Sequence, residues 1–205
     1  SRQLAGFSLN SVETPQTESV KPLIQQAVLN MKVVVMISGV DDYLGYNPQT
    51  KRDLSKDATK DWQLRRVLES GGVKVIEHRW TGNLVGKDFR KAQLSLDTTI
   101  NYALDIAKGE GIGIINYSGG NYVAERLFES NLSSNVKSAL KEQRIHIISL
   151  NSPSEKNFGT LDPNWKNIWS PSDWISKMSE KSSPDRYDVS FLNLSHRFSF
   201  EDHRV

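Results

Sequence analysis

The sequence predicts an α/β domain of three layers, with a mostly parallel central sheet of about six strands between helices. Three observations predict it. Short continuous apolar runs, Lys32-Val-Val-Val-Met-Ile37 the clearest, have the pattern of strands buried on both faces of a sheet. Segments with apolar residues at helical spacing alternate with those runs, and parallel neighbours need crossovers long enough to hold a helix. Glycines and polar turn residues punctuate the junctions, as Gly71-Gly72 and Gly109-Glu110-Gly111 do.

Taken in order, residues 1–30 are polar and weakly patterned and read as an N-terminal surface arm, with a short helix around Leu23 to Leu29; residues 31–205 read as one domain. Lys32 to Ile37 is the first strand, followed by a polar loop through Asp41, Asp42, Gly45 and Pro48. A helix carries Trp62, Leu64, Val67 and Leu68 on one side and stops at Gly71-Gly72. Val73 to Trp80 reads as a strand, and Phe89 to Ala107 as a helix whose apolar stripe is Leu94, Leu96, Ile100, Ala103, Leu104 and Ala107. Strand Gly113 to Tyr117, a helix from Asn121 to Glu129, another from Asn135 to Glu142, strand Arg144 to Leu150, a short strand Asn167 to Trp169 and a last strand Tyr187 to Leu194 complete the alternation.

Composition bounds the function. The 205 residues suit one domain with a sizeable core, and 26 basic against 24 acidic residues leave a net charge of +2. That balance does not point to nucleic acid or an acidic membrane. With no cysteine, thiolate metal sites, disulfides and a cysteine nucleophile are all excluded. No run approaches the roughly 18 apolar residues of a membrane span, and the first residues lack a basic-then-apolar leader pattern. The opening Ser-Arg in place of Met gives the expectation of a processed or excised domain, with the compartment left open.

Ligands of open parallel sheets gather at the carboxyl ends of the strands, so the residues after each strand are inspected first. Strand Gly113 to Tyr117 runs directly into Ser118-Gly119-Gly120 and then a helix. A nucleophilic serine needs a bend tight enough to expose its hydroxyl and aim the next N–H groups at a carbonyl, with little side chain nearby. Asn116-Tyr117-Ser118-Gly119-Gly120 meets that demand after the serine and departs before it, where Asn116 takes the place of the first glycine of G-x-S-x-G. The same pentapeptide also suits a plain βα turn with a helix cap. Chain order separates the two readings. Asp173 lies in the loop after Trp169, and His196 follows the last strand, so an acid and a histidine come after the serine at later strand ends. Asp162 is the runner-up acid, and Asp173 alternatively caps a helix over Trp174 to Met178. His78 and His146 fall inside expected strands and His203 in a closing helix.

Together these segments resemble the α/β-hydrolase superfamily, in particular its small lipase, esterase and cutinase-like members. Ile148-Ser-Leu-Asn-Ser-Pro153 looks like the lipase strand that ends in a small residue and proline, and His196 to Val205 is similar to the closing histidine segment of bacterial Rhs-type lipase-like toxin domains. The resemblance implies a minimal fold with little or no lid, a Ser118, Asp173 and His196 triad, and backbone oxyanion donors at Gly119 and in the Ser38-Gly39-Val40 loop, where Gly39 and Val40 are the candidates. It implies a carboxylic ester, lipid or phospholipid substrate, no cofactor, and a possible place at the end of a larger secreted or toxin polypeptide. Tyr43, Leu44, Tyr122, Phe158 and Leu161, with Trp165, are the candidates to wall an acyl site, or else to fill the core. Asp41-Asp42 is read as a solvated loop and not a metal site, and Gly109 to Gly113 precedes its strand, which excludes a dinucleotide fingerprint. Two other classes stay open: a phosphate-binding module at the helix after Ser118, and an inactive hydrolase fold serving as an interaction domain.

Overall fold

The computed structural model describes residues 31–40, 54–130, 132–154, 156, 158–163 and 165–169, and the backbone of 186–188. Its elements are β1 (Met31–Ile37), α1 (Gln63–Ser70), β2 (Lys74–Glu77), α2 (Gly86–Ala107), β3 (Gly111–Tyr117), α3 (Gly120–Ser130), α4 (Ser134–Lys141), β4 (Ile145–Leu150), a short 3-10 turn (Phe158–Thr160), β5 (Trp165–Trp169) and β6 (Arg186–Asp188). The six strands form one sheet in the order β2-β1-β3-β4-β5-β6, every pairing parallel. This is the three-layer α/β class the alternation predicts.

Strand alternation sorts the apolar side chains into two cores. Val33, Val35, Ile37, Ile112, Ile114, Ile145 and Ile147 meet Leu96, Ile100 and Leu104 of α2 and Val123 and Leu127 of α3. On the opposite face Val34, Met36, Ile115, Ile148 and Leu150 meet Trp62 and Leu68 around α1. A register shift between Met31 and Val33 turns Met31 toward this second core, where its side chain occupies the space that a Cβ on Gly113 would need. With both faces covered, continuous apolar runs such as Val33 to Ile37 are what the sheet requires, since each residue has an apolar neighbour on one side or the other. No helix among the described residues is long and apolar enough to cross a membrane.

Several boundaries move. β2 ends at Glu77, three residues before the expected end at Trp80. It is an edge strand of the described sheet, and His78 and Trp80 send their side chains to other partners. The His78 ring lies 2.9 Å from Thr99 Oγ1 and 3.0 Å from the Ala92 carbonyl, and the Trp80 indole donates to the Ser38 carbonyl at 2.9 Å. α2 starts at Gly86, ahead of Phe89, with Asp88 in its first turn facing the positive end of the helix dipole. β5 is longer than expected and includes Trp165, which the sequence placed in a loop. Trp165 is wholly buried, stacked on Phe158 at 4.6 Å between ring centroids and edge-on to Phe128 at 5.1 Å. That aromatic packing places Phe158 and Trp165 in the first core, the second of the two roles the sequence left open for them.

Candidate functional site

The sheet order places a topological switch point between β1 and β3. From β1 the chain moves outward to β2, then returns across to β3 and continues through β4, β5 and β6 in the other direction. The connections leaving β1 and β3 therefore part to opposite sides and leave a crevice at their carboxyl ends. Ile37 pairs with Asn116 at the last register position, so the Ser38-Gly39-Val40 loop and the Ser118 turn emerge side by side into that crevice.

Ser118 stands one residue past β3 with φ at +50°, in the left-handed region that a residue with a Cβ enters at a cost. It is 2% exposed. Two other non-glycine residues with positive φ, Lys108 and Gln143, lie at helix ends, where such a turn is routine; Ser118 and Asn151 instead follow β3 and β4. The Ser118 N–H donates to the Leu150 carbonyl at 3.0 Å and the Asn151 N–H to the Ile168 carbonyl at 3.0 Å, so each strand's last pairing extends into the residue that bends.

The bend fits because two glycines remove side chains where backbones meet. A Cβ on Gly39 would lie 2.9 Å from Ser118 Cβ and 3.3 Å from its Oγ. A Cβ on Gly120 would lie 2.6 Å from the Ser38 carbonyl oxygen. The loop after β1 is thus pressed against the serine and against the first turn of α3. On the other side of the turn, a Cβ on Gly119 would meet Val40 Cγ1 at 3.3 Å, the Val40 nitrogen at 3.5 Å and Leu84 Cδ1 at 3.6 Å. The Gly119 and Val40 backbones accordingly face one another across a narrow gap beside Ser118.

Asn121, which the sequence reading passed over, ties the turn together. Its side chain is fully buried, and its amide donates to the Ser118 carbonyl at 3.0 Å and reaches the carbonyls of Asn116 and Leu150 at 3.4 Å each. One carboxamide bridges the end of β3, the bend and the end of β4. Beneath it, Asn116, Ser149 and Asn167 form a row across β3, β4 and β5 by register, all three fully buried. Ser149 Oγ accepts the Trp165 indole N–H at 2.7 Å, whereas the carboxamide atoms of Asn116 and Asn167 have no hydrogen-bond partner among the described residues.

The other expected site residues divide by location. Tyr122 is half-buried in the first turn of α3, and Leu161 is partly buried against the first core. Asp173, His196, Tyr43 and Leu44 lie outside the described residues, as do Asp41 and Asp42. Asp162, the runner-up acid, precedes β5 and so stands at the amino edge of the sheet, opposite the edge that carries Ser118; its charge acts on His146 there. Burial lowers the His146 pKa, and Asp162 opposes that shift. His78 is pushed down to about 4 by burial and is a neutral, hydrogen-bonded core residue. No group of three or more His, Asp or Glu side chains that could hold a metal occurs among the described residues.

No protein-family model and no curated protein sequence matches the chain. Among solved structures, it is similar to a cutinase-like protein from Cryptococcus sp., with 9% identity and a TM-score of 0.45 over 84% of this chain and 88% of that one. It is also similar to an α/β serine hydrolase without a lid from Xanthomonas campestris, with 14% identity and a TM-score of 0.44 over 84% of this chain and 78% of that one. The α/β class itself stands on the parallel sheet and its covering helices.

Proposed function

We propose that the chain is a serine hydrolase that cleaves carboxylic esters, with Ser118 as nucleophile, His196 as general base and Asp173 orienting the imidazole. The observation that carries this reading is the left-handed bend at Ser118, set at the switch-point crevice with the Gly39-Val40 loop pressed against it. A serine held in this conformation costs free energy whatever its use, and strain of this kind gathers at functional sites where a side chain has to be aimed.

In the proposed reaction His196 takes the proton from Ser118 Oγ as the oxygen attacks the ester carbonyl, and Asp173 stabilises the imidazolium that results. The carbonyl oxygen becomes an oxyanion held by the N–H groups of Gly119 and of the Gly39-Val40 loop. Their facing backbones and the adjacent amino end of α3 favour that charge. The intermediate collapses, the C–O bond breaks, and the alcohol leaves with the proton carried by His196. Water, deprotonated by the same imidazole, attacks the acyl-serine and returns the free acid and the resting serine. Tyr43, Leu44 and Tyr122 are the proposed lining of the acyl site, whereas Leu161 adjoins Asp162 before β5, at the opposite edge of the sheet.

An esterase assay with nitrophenyl esters of graded acyl length, comparing wild type with Ser118→Ala, tests the reading. Hydrolysis is expected to fall by at least about a thousandfold in the variant, in line with loss of a nucleophile. Equal rates in the two proteins would sink it.

A further inference from the structure

Three of the four large apolar side chains that are strongly exposed among the described residues lie along α2 or at its start: Val85 (53%), Leu94 (54%) and Tyr102 (55%). Val85 immediately precedes α2, and Leu94 and Tyr102 stand on its outward stripe, which runs through Lys87, Arg90, Lys91, Leu94, Thr98 and Tyr102. The stripe is cationic in its first turns and apolar beyond. Lys87, Arg90 and Lys91 form no ion pair among the described residues.

The carboxylates of the helix that would neutralise them are turned aside. Asp88 takes the Asn83 amide at 3.3 Å, and Asp97 takes the Ser133 N–H and the Asn101 amide at 3.0 Å each. Asp105, the next carboxylate on the exposed side, comes after Tyr102. Two shallow hollows, about 410 and 560 Å³, share Lys87 and Arg90 as walls, with Leu94 in the first and Phe89 in the second.

We propose that this outward face of α2 docks on an anionic lipid bilayer. Exposed cations in the first turns, followed along the same stripe by Leu94 and Tyr102, match the two demands of such a surface, since the cations meet acidic headgroups while the apolar and aromatic side chains enter the acyl boundary. A whole-chain charge of +2 conceals the feature, because it is local to one helix. The stripe also begins at the crevice: Leu84, next to Val85, is the residue that approaches Gly119. Docking here sets the amino end of α2, which adjoins the Ser118 edge of the sheet, at the bilayer surface. That consequence, access to esters held in a membrane, rests on the hydrolase reading, whereas the docking itself does not.

The test is co-sedimentation of the full chain with vesicles of ether-linked lipids, which an esterase cannot cleave. One set is phosphatidylcholine alone and the other is equal parts phosphatidylcholine and phosphatidylglycerol. Binding is expected to the anionic set only and to weaken between about 0.1 and 0.5 M salt. The triple variant Lys87→Glu, Arg90→Glu, Lys91→Glu is expected to bind at least about a hundredfold more weakly, at roughly fivefold per cation. Leu94→Ser loses several-fold, and the control Lys74→Glu, Lys141→Glu binds as wild type. Equal binding to both sets, binding to neither, or full binding by the triple variant overturns the proposal. Ser118→Ala binds vesicles like wild type, and the triple variant cleaves soluble esters like wild type, so failure of docking and failure of the hydrolase reading give different results.

Discussion

Ser118 carries a conformational cost in its left-handed backbone. A non-glycine residue at φ +50° costs of order 1–3 kcal/mol. Ser118→Gly is therefore expected to raise the unfolding free energy by about 1 kcal/mol while abolishing hydrolysis, and Ser118→Ala to abolish hydrolysis with stability nearly unchanged; urea denaturation midpoints separate the two. Gly120→Ala is expected to destabilise by about 2–3 kcal/mol, because its Cβ would sit 2.6 Å from the Ser38 carbonyl oxygen and neither backbone can yield. Asn121→Ala removes the carboxamide that joins three carbonyls. We expect a loss of about 1–3 kcal/mol in stability, and a fall in kcat of tenfold or more with KM little changed, from steady-state kinetics. The Ser118-Gly119-Gly120 turn was legible in sequence because a bend demands particular residue types, whereas Gly39 entered only through the family resemblance. Asn121 was not legible, since its partners at Asn116 and Leu150 become neighbours only when β3 and β4 pair.

Elements were legible where burial is two-sided and obscure where side chains leave the ladder. β1, β3 and β4 are apolar runs with nowhere to go but a covered sheet. β2 misled because Val73 to Trp80 keeps strand-like composition past Glu77, although the last bond to β1 is the His78 N–H on the Met36 carbonyl, and Trp165 misled because its packing against Phe158 is not periodic. The end of β2 also holds a carboxyl pair. Burial, then hydrogen bonding to Asp57, raises Glu77 to about 7, with the Thr59 N–H at 3.0 Å opposing the shift. Burial would raise Asp57 as well, but hydrogen bonds from Glu77, Arg65 and Thr59 hold it below the usual carboxylate range. A carboxyl raised in the folded state contributes stability that is complete below its unfolded value of 4.5 and is lost as pH rises through about 7. His78, depressed to about 4, has the opposite sign, and its contribution is lost as pH falls below 6.5. Between about pH 6.5 and 8 the Glu77 proton sets the slope, at most about 1.4 kcal/mol per pH unit. Stability should fall across that window in wild type and stay level in Glu77→Gln, as followed by urea midpoints at a series of pH values.

At the scale of the whole molecule, the strand order matters more than any single motif. Placing β1 between β2 and β3 opens the crevice, and the two loops that the serine chemistry requires are the two that flank it. The alternation of strands and helices was enough to predict a parallel sheet, whereas strand order, set by long-range pairing, was not written in any local pattern. The cationic face of α2 was hidden for a similar reason, because net charge averages over the molecule what a helix arranges along one stripe. The central claim is that Ser118 is an activated nucleophile. Treating the folded chain with a fluorophosphonate probe and mapping the adduct by peptide mass spectrometry tests it most directly. The account predicts one modified residue, Ser118, with labelling abolished on denaturation and in Ser118→Ala. A folded protein that stays unlabelled at Ser118, or that labels equally well in the variant, would contradict it.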